Sequence, residues 1–167
     1  DLTLFDKIYN AVLAKKENIK VLLQTYFGDI RDSYENITKL KFDAIGLDFI
    51  EGKETLNLIE KIRFSKKIKI LLAGLVNGKN IWRNNYEKTI STLNLLKNKG
   101  IEVVLSTSCS LLHVPFTVEN ETKLSKDVLK HFAFAVEKLG ELADLKVLAE
   151  EINFTEDNVF VNNKKTF

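Results

Sequence analysis

Four short apolar runs recur along the chain, each followed by a helix-like stretch, and this alternation leaves few folds open. The runs fall at about 19–26, 44–49, 68–76 and 101–105. They are rich in Ile, Leu and Val and barely alternate with polar residues, the pattern of strands covered on both faces. Between them lie stretches of helical period at about 34–40, 54–63 and 85–99. A further helix is expected at 3–16, with Leu4, Phe5, Ile8, Val12 and Leu13 on one face, and another over 125–148. Strands separated by helices pair in parallel through right-handed crossovers. Two architectures fit: a small doubly wound sheet, or four consecutive units of a (β/α)8 barrel. Neither G-x-G-x-x-G nor G-x-x-x-x-G-K-[ST] occurs, which counts against a nucleotide-binding sheet.

Each strand runs out into residues that can do chemistry. The ends are Thr25-Tyr26, Asp48, the stretch Asn77 to Arg83, and Ser106 to His113. In a barrel these ends converge on one rim; in an open sheet they spread along one edge. Candidate rim residues are therefore Asp48, Asn77, Asn80, Trp82, Arg83, Ser108, Cys109 and His113. Each has a structural alternative. Asp48 is an acid or base, or an acceptor for backbone N–H groups of a neighbouring loop. Asn77-Gly78 is first of all a turn signal. Asn80, Trp82 and Arg83 either hold a polar ligand against the indole or anchor their loop. Cys109 and His113 form a Cys-x3-His pair, readable as metal ligands, as nucleophile and base, or as loop packing. Lys138, Glu141 and Asp144, at helical spacing, are expected on the solvated face of the last helix.

The chain of 167 residues suits one domain with its own core. A net charge of +2, with arginine only at Arg31, Arg63 and Arg83, argues against a nucleic-acid or membrane-surface partner. No apolar run approaches the ~18 residues of a membrane span. A single cysteine forms no internal disulfide, which points to a reducing compartment such as the cytoplasm. Methionine is absent even from position 1, so Asp1 is not expected to be a native start.

The strand ends also carry a resemblance. TYFGD (25–29), IGLDFIEGKE (45–54), AGLVNGKNIWR (73–83), SCSLLHVPF (108–116) and FAFAVEKLGEL (132–142) resemble, in order and spacing, the amino-terminal barrel of cobalamin-independent methionine synthases. The resemblance implies the C-terminal half of a (β/α)8 barrel, strands five to eight, over 1–149, with 150–167 as interbarrel linker or tail. It implies an enzyme of two duplicated barrels that moves a methyl group from a methyltetrahydrofolate polyglutamate to homocysteine. The zinc of that reaction is implied in the other barrel. Here the His-x-Cys pair expected on the first strand has no counterpart, and Asp48 stands where a glutamate ligand would. This half barrel is therefore expected to hold no cofactor and no catalytic residue, and to shape the cleft for the folate's glutamate tail. Its expected partners are the rest of its own chain, with self-association as the fate of an isolated half whose edge strands are unpaired. Two rival functions remain: a free-standing small-molecule-binding module, and a small thiol enzyme using Cys109 and His113.

Overall fold

In a computed structural model that describes residues 2–61 and 70–167, the alternation becomes one four-stranded parallel sheet in the order β1-β2-β3-β4. The strands are β1 (Leu22–Gln24), β2 (Ala44–Asp48), β3 (Ile70–Val76) and β4 (Glu102–Thr107). Across the middle of the sheet Gly46 lies opposite both Gln24 and Leu72, and Leu72 opposite Val104, and the β3–β4 register shifts between Gly74 and Val76. Sequential strands that neighbour one another in a parallel sheet are the arrangement of consecutive β/α barrel units. The chain is thus four units of a partial β/α barrel, as the resemblance implied.

Helices α1 (Leu2–Ala14), α2 (Tyr34–Lys39), α3 (Thr55–Lys61) and α4 (Tyr86–Asn98) fall within two residues of the expected positions. Residues 62 and 63 of the expected third helix, and 68 and 69 at the start of the expected third strand, lie outside the described residues. The main core forms where Ile45, Leu47, Leu71 and Ala73 on one sheet face meet Tyr34 and Ile37 of α2, Ile59 of α3, and Leu93 and Leu96 of α4. The alternate residues of the strands point to the opposite face. There Leu22 and Val104 remain 45% and 46% exposed, so the face that is the interior of a barrel is covered only in part.

Five expectations need correction. β1 is three residues long, not eight, because the chain on either side turns into loop. The stripe on α1 holds for Leu13, which is buried, and for Phe5, which packs partly buried against the core, whereas Leu4, Ile8 and Val12 are exposed.

The single helix expected over 125–148 is two, α5 (Lys126–Leu129) and α6 (Ala135–Leu148). The residues between them pair instead with the β3–α4 loop. Ala133 N donates to Ile81 O at 2.8 Å and Arg83 N to His131 O at 2.9 Å, with Phe132 bridging to Trp82. The α6 helix restarts where Glu137 reaches back to accept from Phe134 N at 3.0 Å.

The inward face of α6 also differs from the expected one: beside Leu145 and Leu148 it carries two residues expected in solvent. Lys138 and Glu141 are buried, while Val136 and Leu139 are 43% and 58% exposed. Both buried charges are used to hold the β3–α4 loop: Lys138 Nζ donates to Trp82 O at 3.0 Å, and Glu141 Oε1 accepts from Asn84 N at 2.9 Å. Loop backbone groups that would otherwise be buried without partners thus hold two polar side chains on the inward face of the helix.

Beyond α6, where a linker or tail was expected, α7 (Asn158–Lys164) folds back and buries Phe160 against Val76, Tyr86, Ile90 and Leu145.

Candidate functional site at the strand ends

Hydrogen bonds continue past the ends of the strands and hold the tips side by side. Thr25 N donates to Gly46 O, Phe49 N to Gly74 O and Ser108 N to Val76 O, at 3.0, 3.2 and 2.8 Å. Side chains then tie each tip to the next. Asp48, at the end of β2, is 1% exposed. Its Oδ1 accepts from Ile50 N at 2.7 Å and Glu51 N at 2.9 Å, and its Oδ2 accepts from Gly28 N at 3.2 Å, in the loop after β1. Three of its roughly four acceptor directions serve backbone donors, which leaves little for substrate.

The β3 tip is organised in the same way. Asn77 Oδ1 accepts from Lys79 N at 2.8 Å and Asn80 N at 3.0 Å, and Asn80 Oδ1 accepts from Trp82 N at 3.2 Å. These local bonds form successive Asx turns. Ser108 Oγ, at the end of β4, accepts from Gly78 N at 3.2 Å. A Cβ on Gly78 would run into the Cys109 carbonyl, so this close crossing of two backbones needs glycine.

The loop after β4 closes the circuit. The His113 ring meets the edge of the Phe27 ring at 5.4 Å between centroids, bringing the fourth tip to the first. Phe27 adopts φ 61°, a left-handed conformation uncommon for a residue with a side chain. Lys79 lies 5.3 Å above the same ring and pairs with Glu51 at 2.7 Å. The Glu51 hydrogen bond holds the Lys79 ammonium above its ordinary range.

Asp48, Asn77, Ser108, Cys109 and His113 are therefore brought to a common mouth, with Asn80 at its edge. Trp82 and Arg83 are not: the loop carries them to the flank, where Arg83 Nε donates to Lys130 O at 2.7 Å and Trp82 packs on Phe132. Sequence reasoning missed Phe27, Glu51 and Lys79. All three lie within the motifs given above, but no spacing rule foretells a charge pair formed across two loops.

The Cys109 and His113 readings are limited by geometry. Cys109 is 2% exposed, and its thiol donates a long bond, 3.7 Å, to the Ser110 carbonyl. Burial pushes the thiol above its usual range, against a smaller opposing effect of the Ser108 hydrogen bond. A nucleophilic cysteine needs the opposite shift. His113, turned to the Phe27 ring, has no hydrogen bond to the thiol among the described residues. Nor do three His, Cys, Asp or Glu side chains come together as a metal site among those residues. One buried thiol and one aromatic-packed imidazole do not fit the tetrahedral zinc set of the resembled family.

Residues 1–100 match the family described as "Cobalamin-independent synthase, N-terminal domain". The chain belongs to that family. Curated relatives extend the likeness past the matched region. A 5-methyltetrahydropteroyltriglutamate–homocysteine methyltransferase of Lactococcus lactis is 57% identical over 95% of the chain and 20% of the relative. One from Campylobacter jejuni is 51% identical over the whole chain and 22% of the relative. The chain thus spans about a fifth of the length of the curated relatives it matches. The likeness to the Campylobacter synthase covers all four strand tips and the helix that holds the β3–α4 loop.

Proposed function

We propose that this chain is the second half of the amino-terminal barrel of a cobalamin-independent methionine synthase, with the methyl-transfer chemistry performed elsewhere in the whole protein. The supporting observation is the mouth itself. Asp48, Asn77 and Ser108, polar candidates spread over three strand tips, spend their acceptors on backbone N–H groups, and the one thiol is buried and discouraged from ionising. Such a mouth is a shaped wall and not a reaction centre.

In the whole enzyme this wall faces the cleft in which a methyltetrahydrofolate polyglutamate meets homocysteine. Exposed Tyr26, Phe27, Leu112 and Phe116 supply apolar contact, beside the Lys79–Glu51 ion pair. The zinc that activates a homocysteine thiol as thiolate belongs to the other barrel, since the residues here do not fit it. The remainder of the protein pairs the free edges of β1 and β4. The cytoplasm is its site of action, consistent with one unpaired cysteine. No helix among the described residues is long and apolar enough to cross a membrane.

The test is methyl transfer from methyltetrahydrofolate triglutamate to homocysteine by the full-length protein. Cys109→Ser and His113→Ala are expected to keep kcat within about threefold of the parent, since neither acts as the orienting or proton-moving group whose loss typically costs ~100-fold or more. A correctly folded Cys109→Ser protein without activity would overturn the reading in favour of a thiol mechanism.

A further inference from the structure

Two open cavities, of about 500 and 380 Å³, meet at Arg83 on the flank of the half barrel, away from the mouth. Both fall in the size range of small-ligand pockets. The larger is walled by Trp82, Phe132, Val128 and Phe167, with the Trp82 and Phe132 ring centroids 5.2 Å apart. Trp82 is 54% exposed there. The smaller cavity is polar and includes Lys130 and Asp144.

Arg83 stands at the junction with its orientation fixed. Its Nε donates to Lys130 O at 2.7 Å, and its backbone N donates to His131 O at 2.9 Å. Its two Nη groups have no hydrogen bond among the described residues. Three carboxylates lie nearby, none hydrogen-bonded to the guanidinium: Asp144 accepts from the Tyr86 hydroxyl at 2.8 Å, Glu141 accepts from Asn84 N at 2.9 Å, and Asp127 has a side chain 93% exposed, 3.5 Å from Lys130.

A held guanidinium with a free donor edge beside an aromatic wall selects for a planar anion carrying hydrocarbon. We propose that the flank groove binds a small aromatic carboxylate, its ring on Trp82 and Phe132 and its carboxylate on the Arg83 Nη groups, with Lys130 adding positive charge. The proposal is independent of the synthase reading. It concerns the far end of the loop that brings Lys79 to the mouth.

The test uses the full-length protein labelled with 5-fluorotryptophan. The Trp82 resonance is identified as the ¹⁹F signal missing in Trp82→Phe. Phenylacetate is expected to shift that signal saturably, with a Kd on the order of 1 mM, as suits so small a ligand. 2-Phenylethanol, which lacks the charge, is expected to bind at least about tenfold more weakly, and Arg83→Gln to weaken phenylacetate by a similar factor. Should Arg83→Gln misfold, Arg83→Lys, which keeps the charge and loses the fork, is read in its place and is expected to fall between the two. Equal shifts from phenylacetate and 2-phenylethanol would overturn the proposal. So would an equal shift from inorganic phosphate, or no saturation by phenylacetate.

Discussion

Replacing Asp48 tests whether the polar mouth is built for support or for chemistry. The carboxylate is buried and accepts three backbone N–H bonds: 2.7 and 2.9 Å within the loop after β2, and 3.2 Å across to Gly28. Asp48→Ala leaves those donors without an acceptor. A hydrogen bond to a charged group contributes about 1.5–3 kcal/mol, and water entering the vacated space recovers part of the loss. Counting the two shorter bonds fully and the long one lightly, and allowing for that water, the expected cost is roughly 3 kcal/mol. For a domain of this size that lowers Tm by about 6–12 °C. Asp48→Asn keeps an oxygen for Ile50 and Glu51 but turns an NH2 group towards the Gly28 N–H, so its cost is expected to be about half as large. The assay pairs thermal melting with hydrogen exchange by mass spectrometry over peptides containing Gly28, Ile50 and Glu51, and protection there is expected to fall in the order parent, Asn, Ala. A melting temperature and exchange pattern unchanged in Asp48→Ala, with methyl transfer abolished, would refute the supporting role and make Asp48 a reacting group.

Other outcomes follow from the same geometry. Gly78→Ala drives a Cβ into the Cys109 backbone, whereas Gly46→Ala meets only the movable Gln24 amide. Melting curves are expected to show the Gly78 variant the less stable by roughly 1–3 kcal/mol, and the reverse order would contradict the crossing described at the mouth. Iodoacetamide labelling of native Cys109 at neutral pH is expected to run at least about tenfold slower than that of a free thiol, because the group is buried and its pKa raised. Rapid labelling would show an open, activated thiol. Burial pushes the Glu141 carboxyl up, so the folded chain holds that proton more tightly than the unfolded chain. Its contribution to stability is therefore full below the ordinary carboxylate range and is lost as pH rises through the raised value. Melting followed from pH 4 to 8 is expected to show a shallower decline for Glu141→Gln than for the parent, and identical slopes would place Glu141 in water.

The strand–helix alternation was readable because near-continuous apolar runs such as 44–49 and 68–76 have few uses other than a covered parallel strand. The strand tips were readable as a set, since topology alone delivers them to one end of the sheet. What each tip does was not. Asp48 is the same residue whether it moves a proton or caps a loop, and only its three backbone donors decide between them. The inward face of α6 was misread because hydrophobic period is a statistical guide, while two loop groups, Trp82 O and Asn84 N, make specific demands that Lys138 and Glu141 meet. The break before α6 had no sequence signal of its own. It arises from pairing with a loop some fifty residues away in the chain, as in the Arg83–Lys130 bond. The fold back of α7 rests on Phe160, a single buried aromatic in an otherwise polar stretch, too little to form a period.

Cross-linking across the mouth is the most direct test that four strand tips share one rim. In a Cys109→Ser background, Phe27→Cys and His113→Cys place thiols where two rings now touch at 5.4 Å between centroids. A short bis-maleimide is expected to join them within one chain at high yield. In a flat open sheet the first and fourth strands stand roughly 14 Å apart, three inter-strand spacings. Two thiols that take up the reagent singly and never become bridged would contradict the shared rim.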